Sequence, residues 1–554
     1  MIWQPEVLLQ HHNTIKMTSH ALNIDNLILT VRDKIGKPVS SRVVAATIES
    51  LGIRDKDTLN DFGVPSIKSL ADLIYQKILT APDYISIRNK KERELEAGEK
   101  SKTLQLSDYL IVKLKIFARY YPTGILHLLP VFVQILAIIL FGYSLWTFVG
   151  FNHMQSTAVV LGVIIGLITT GGFVQVIGRQ ASFYWNYEDY TMTRKTINFL
   201  VKMGAKSISI VLIGIYALNF FFHIFPVKLL LILFIYAFLI GLLLLMIAPL
   251  HTIKQRWFIS VAIFTATTVA VLLSKYSVVP IYMTHWIGIL IAILLSKGFL
   301  YFFFRNKIDK RQVDCNMEVK TPVMLYQNYH YFFYGLLVYV FIFIDRILAW
   351  SADISGTIPY IIYFEKNYEL GMDVAILVFL LLSGVMEYSL AAFSKFIDIG
   401  QKNTPFEHPE HYNQSLFRMY WQHISLMFVT SLFIFIIIYF IITSSWGYQA
   451  HFKEVFEELS IRVCIIGGLG YFFFAWGILN TLYLFTLGQP AKPLRALVMA
   501  CIVNVITGFL LSRFISYEYS VGGLFCGSLL FMLLTLRENI HFFRNLDYYY
   551  YAAY

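Results

Sequence analysis

The chain has 554 residues, of which 57% are hydrophobic, 17% aromatic and only 14% charged. A soluble domain carries about a quarter charged residues, so this composition excludes one. A mean hydropathy of +0.62 over long apolar runs points to spanning helices rather than the alternating ten-residue strands of an outer-membrane barrel.

Residues 1–17 show neither helical periodicity nor a signal-peptide pattern, and Met17 is a candidate start. Residues 18–82 have a soluble composition, with helical periodicity in SSRVVAATIESLGI and PSIKSLADLIYQKIL and a turn at Asn60–Gly63. They are expected to form a small helical cytoplasmic domain. DFGVPSIKSLADLIY is faintly similar to the serine-bearing segment of phosphopantetheine carrier proteins, but Pro65 stands where those have an acidic residue, and Ser66 reads as a helix cap. Residues 83–105 form a charged linker. In 106–124, Leu106, Leu110, Ile111, Leu114 and Phe117 recur at helical spacing opposite Lys113, Lys115 and Arg119, the pattern of a helix lying on an anionic membrane surface.

Runs of about twenty apolar residues occur at 125–149, 155–178, 206–225, 227–250, 256–275, 280–304, 330–351, 370–396, 424–444, 461–487, 493–514 and 519–537. With these twelve spans, nineteen Lys and Arg fall in the connections of one side and six in those of the other. Basic loops resist translocation, so both termini are expected in the cytoplasm and the net charge of +11 reflects topology, not nucleic-acid binding. The expected fold is an all-α polytopic membrane protein with twelve transmembrane helices in two six-helix lobes, 125–304 and 330–537. A cytoplasmic loop, 305–329, separates the lobes, and a cytoplasmic tail, 538–554, closes the chain. No half-to-half sequence match stands out. Cys315, Cys464, Cys501 and Cys526 form no CxxC, which excludes a disulfide framework or structural zinc site, and His127, His223 and His285 read as packed or interfacial.

A charge at bilayer depth costs about 2.5–3.5 kcal/mol on insertion scales and needs a partner, water or an escape to the interface. Arg179, Lys297, Asp345, Arg346, Asp373 and Glu387 are such charges. Asp345 and Arg346 belong to the outer half of the seventh span, as either pathway or interhelical salt bridge; Asp373 lies near the outer face and Glu387 in the inner half. Lys297 and Glu387 sit at matching depth and could pair. Asp373 and Glu387 share roughly one helix face about 21 Å apart, a stripe suited to hydroxylated or cationic sugars or to a proton.

The segments ITTGGFVQVIGRQASFYW (168–185), YGLLVYVFIFIDRILAWSA (334–352), YSVGGLFCG and FRNLDYYYY resemble the PelG-type exopolysaccharide transporters of the multidrug/oligosaccharidyl-lipid/polysaccharide flippase superfamily. The likeness is carried by Gly171, Gln175, Arg179, Tyr184, Gly335, Tyr339, Asp345, Arg346, Trp350, Asn504, Gly522, Gly523, Leu546 and Tyr548. The chain departs from that family in its extra soluble domain, in Arg346 where a lysine is expected and in its longer aromatic end. The resemblance implies a two-lobed protein of the bacterial inner membrane without enzymatic activity or cofactor, exporting an exopolysaccharide or its lipid-linked precursor. A cytoplasmic glycosyltransferase and accessory membrane subunits are the implied partners. Gln175 joins the charged candidates on the pathway, and Tyr184, Trp185, Tyr339 and Trp350 could stack on sugars or serve as interfacial belt residues.

No GxxxxGK[ST] phosphate loop is present, so polymer elongation or an ion gradient must supply the energy. A cation-coupled small-molecule exporter and a membrane scaffold for polysaccharide synthesis stay open. A multi-span glycosyltransferase or acyltransferase is disfavoured: the first outer loop, GFNHMQ, has no carboxylate, and no buried histidine has an evident polar partner.

Overall fold

The computed structural model describes residues 23–35, 38, 40–80, 115, 117–122, 124, 128–308, 321–352, 360–403, 409–444 and 456–544. The linker 83–105, His127, Leu546 and Tyr548 lie outside these residues.

The first four helices are α1 (23–35), α2 (Ser41–Ser50), α3 (Asp55–Phe62) and α4 (Ile67–Thr80). Their apolar faces close on one another through Val31, Val44, Ile48, Leu70 and Ile74, all fully buried. Gly63 adopts the left-handed conformation (φ 70°) that ends α3. Ser66 then caps α4, its Oγ accepting from Ser69 N at 3.2 Å, while Asp55 Oδ1 takes the neighbouring donor, Ile67 N, at 2.8 Å. The two side chains satisfy amides that the first turn of a helix leaves open.

The remaining helices are apolar. They are α5 (Leu129–Phe141), α6 (His153–Val176), α7 (Tyr190–Phe222), α8 (Val227–Thr252), α9 (Trp257–Tyr276), α10 (Ile281–Lys307), α11 (Thr321–Trp350), α12 (Lys366–Asn403), α13 (Pro409–Thr443), α14 (Glu458–Thr486), α15 (Ala491–Phe514) and α16 (Val521–Arg544). Among the described residues, eleven of them are long and apolar enough to cross a membrane, and the chain is a multi-pass membrane protein. Each six-helix half packs by the same plan. In the first, α6 lies on α8, α8 on α10, α9 on α10 and α5 on α9; in the second, α12 lies on α14, α14 on α16, α15 on α16 and α11 on α15.

The expected first span, 125–149, is corrected by the structure. Its helix, α5, is described over 13 residues, Leu129–Phe141, and helical residues 117–122 and Gly124 precede it, so the difference lies in where the span ends. Gly142 (φ 65°) ends it, and the chain folds back in a hairpin, with Ser144 N donating to Thr147 O at 2.7 Å and Val149 N to Gly142 O at 3.0 Å. The fully buried Leu145 donates its N–H to Gln134 Oε1 at 2.7 Å. Hydropathy scores Phe141, Tyr143, Leu145, Trp146 and Phe148 as membrane residues; it does not register that Gly142 turns the chain.

The lobes cross at two places, and both need glycine. A Cβ on Gly335 of α11 would lie 2.5 Å from Gly171 O and 2.6 Å from Gln175 Cβ of α6. A Cβ on Gly124 would lie 2.6 Å from Gly384 Cα, 3.0 Å from Ser383 O and 3.1 Å from Glu387 Cβ of α12. Two of the contacts correspond, a carbonyl oxygen and the Cβ four residues on: Gly335 matches Gly124, Gly171 matches Ser383, and Gln175 matches Glu387. The loops after α8 and α14 correspond as well. Thr252-Ile253-Lys254-Gln255 and Thr486-Leu487-Gly488-Gln489 both turn through a left-handed residue, Lys254 (φ 60°) and Gly488 (φ 69°). Both close with the glutamine N–H on a carbonyl five residues back, at 2.9 Å in each case. The halves are therefore structural repeats, a relation common in transporters.

Candidate functional site

The richest group of charges lies in the second lobe, toward the end of α11 and the start of α12. Four residues before its end, α11 presents Arg346, with Asp345 beside it. The first two turns of α12 present Tyr368, Glu369 and Asp373; Glu369 and Asp373, four apart, share a face. Tyr368 O–H donates to Asp345 Oδ2 at 2.7 Å. Arg346 Nη1 pairs with Glu369 Oε1 and lies 3.4 Å from Asp373 Oδ1. Asp345, Arg346 and Glu369 are buried, whereas Asp373 exposes 64% of its side chain.

Two carboxylates, Glu369 and Asp373, therefore share one guanidinium, and a third, Asp345, is held by Tyr368. Asp345 Oδ1, Glu369 Oε2, Arg346 Nε and, on α14, Tyr471 O–H are buried without a hydrogen-bond partner. Buried charges are stable only when paired and hydrogen-bonded, so acceptors left open beside one cation suit an added proton or small cation. The exposed Asp373 connects the buried members to the surface.

Glu387 belongs to a second site near the end of the bundle that carries the basic loops. It pairs with Arg256 at the start of α9, at 3.0 Å, with side-chain exposures of 29% and 32%. The expected partner, Lys297, is exposed on α10 instead. Asp373 and Glu387 are held by different arginines, so the expected acidic stripe is divided between two ion pairs. At the other end of the interface the lobes are joined through His153 and Thr157 of α6. His153 Nδ1 lies 3.1 Å from Phe364 O, and Phe364 N donates to Thr157 Oγ1 at 3.0 Å.

The remaining candidates do not converge. Gln175 packs its Cβ beneath Gly335 at one lobe crossing, and the Tyr339 ring covers Gly171 there, 2.4 Å from where a Cβ would stand. Arg179 lies exposed in a π-helical turn, Ile177–Ala181, that continues α6, its Cζ 5.6 Å from the Tyr331 ring. Trp350 is fully buried beside Phe364. Trp185 packs on Tyr190 and Phe303, and Tyr184 on Phe183. The four aromatics thus form no single stacking surface.

The sequence reading missed Tyr368, Glu369, Tyr471 and Arg256 as site residues. Glu369 stood one residue before the assigned start of the eighth span, although its spacing of four from Asp373 marked it. Arg256 was read only as a loop cation. Buried His285 has a polar partner after all, Tyr236 O–H at 2.6 Å from Nδ1.

No protein-family model matches the sequence, and no curated protein matches it either. Solved structures do. A MATE transporter in complex with MaD3S superposes with a TM-score of 0.52 at 12% identity, covering 78% of this chain and 96% of that one. This chain has the fold of the MATE transporters. An inward-facing multidrug resistance MATE family transporter of the MOP superfamily matches with a TM-score of 0.51 at 12% identity, over 76% of this chain and 98% of the other. An outward-facing one gives 0.51 at 13% identity, over 78% and 96%. The MATE-like body thus resembles both an inward-facing and an outward-facing structure.

Proposed function

We propose that this chain is a transporter of the MOP superfamily whose two lobes rock against each other, carrying an exopolysaccharide or its lipid-linked precursor outward across the bacterial cytoplasmic membrane. The observation that carries the transporter reading is the pair of repeated lobes in a MATE-like fold, in contact at two glycine crossings. The choice of cargo rests on the PelG-type resemblance in α6, α11 and α16. In this reading both termini and the helical unit at 23–80 are cytoplasmic, and a cytoplasmic glycosyltransferase with accessory membrane subunits works beside the chain. Nothing in the mechanism calls for a covalent step: cargo is re-exposed by the lobes, and the carboxylates of α11 and α12 exchange a proton or cation as they move.

Lobe motion is tested by fixing the lobes. Phe117 and Tyr388 face each other with ring centroids 5.3 Å apart. In a chain without its native cysteines, Phe117→Cys and Tyr388→Cys joined by a bifunctional thiol reagent should abolish export, with recovery on reduction. Export untouched by complete cross-linking would refute rocking. Cargo is read as surface polysaccharide by lectin binding, at equal membrane abundance, in cells carrying wild type, Asp345→Asn or Glu369→Gln.

The open acceptors around Arg346 favour a second reading, a cation-coupled exporter of small molecules. In that case the carboxylate variants would lose resistance to toxic cations while surface polysaccharide stayed normal.

A further inference from the structure

The two glycine crossings have the same backbone contacts and different charge. At the α6–α11 crossing the groups around Gly335 are Gly171 and the neutral Gln175. Nearby, Asn328 Nδ2 donates to Gln180 Oε1 at 3.0 Å, and deeper in the bundle Ala158, Leu161 and Ile164 join Phe341 and Ile342 in one apolar core. At the other crossing, the position of Gln175 is taken by Glu387, which reaches Arg256 of the first lobe. The matched loop caps place Pro490 where Arg256 stands, and the cation near the α6–α11 crossing, Arg179, lies exposed with its Cζ over the Tyr331 ring. The strained Lys254 and the cap bond of Gln255 lead directly into Arg256.

We propose that Arg256–Glu387 is a latch, and that the lobes open toward the basic face at this charged seam, between 117–124 and α12, while the α6–α11 seam stays packed. The proposal rests on the rocking reading and specifies where the motion occurs. The physical reason is hydration. Parting α6 from α11 would expose a continuous apolar core to water. Parting Arg256 from Glu387 releases two ions that are each already about one-third exposed, and pairs in wet surroundings are held weakly.

The test measures access to each seam from the basic face. Ser383→Cys reports on the charged seam and Gln175→Cys on its neutral counterpart, each in the full-length chain without native cysteines, labelled by a membrane-impermeant maleimide in inside-out vesicles. Glu387→Gln and Arg256→Gln should each raise the Ser383→Cys labelling rate about two- to fivefold and leave Gln175→Cys unchanged. The charge swap Arg256→Glu with Glu387→Arg should return the rate toward its starting value. An unchanged rate at Ser383→Cys, or an equal rise at both seams, would overturn the latch. Failure of the latch is separable from failure of rocking, because the 117–388 cross-link tests rocking without either charged residue being changed.

Discussion

Where α12 of the second lobe carries Glu369, Asp373 and Glu387, the matching turns of α6 carry Thr157, Leu161 and Gln175. The register is fixed by the two glycine crossings, so these are equivalent places in one repeated scaffold. The first lobe meets its polar needs with neutral groups. Gln134 donates to Thr267 Oγ1 at 2.7 Å and accepts from Leu145 N, and Thr157 O–H donates to His153 O at 2.7 Å. Between 128 and 307 the only carboxylates are Glu188 and Asp189, in the turn between α6 and α7. Carboxylates gain and lose protons and cations; amides and hydroxyls in this setting do not. The difference places the titratable carboxylates in the second lobe and neutral hydrogen-bonding groups at the matching places of the first.

The comparison breaks first, if it is wrong, at Arg346. Arg346→Met leaves Glu369 buried without its cation and should cost about 3–5 kcal/mol, read as lost thermal stability of detergent-solubilised protein. Gln134→Leu, at a buried neutral site of the first lobe, should cost clearly less, about 1–3 kcal/mol; equal losses would show the lobes to be electrostatically alike. Tyr368→Phe removes the hydrogen bond to Asp345 and should cost about 1.5–3 kcal/mol. The crossings offer a steric check. Gly124→Ala and Gly335→Ala force backbone apart and should each cost about 1–3 kcal/mol, whereas Gly214→Ala, with nothing within 4 Å, should be neutral or gain up to about 1 kcal/mol. The smallest effect is expected at the loop caps. Lys254→Gly gives the first lobe the residue that the second has as Gly488, and relief of its left-handed backbone should stabilise by about 1 kcal/mol; a loss would mean that the Lys254 side chain is needed.

Much of this was legible in the sequence where hydropathy suffices. Eleven of the twelve expected spans are helices of membrane length, because an apolar run of that size has no other way to satisfy its backbone in a bilayer. The expected end of the first span, at 149, was wrong: Gly142 ends the helix, and local backbone geometry overrode composition. The repeat escaped notice because the equivalent residues differ in kind: Gln175 and Glu387, and Thr157 and Glu369, share a place but not a charge. Only the short TIKQ and TLGQ caps kept a visible likeness, and four residues are too few to stand out among 554. At the site, Asp345, Arg346 and Asp373 were recognised from the cost of charge at depth. Glu369 was lost through a boundary drawn one residue late, and Arg256 because topology explained it already.

The sequence by itself determined that this protein lies in a membrane, crosses it many times, and carries only a few charges within its spans, since each of these follows from how many apolar and charged side chains occur in a row. Tertiary structure alone decided which charges meet. Arg346 joins Glu369 and Asp373 because the end of α11 packs beside the start of α12. Glu387 takes Arg256 rather than Lys297, because Lys297 is turned to the exposed side of α10 while Arg256, at the start of α9, comes within 3.0 Å. Depth along a helix can be counted from sequence; the direction a side chain faces, and the partner it finds there, depend on how the helices cross.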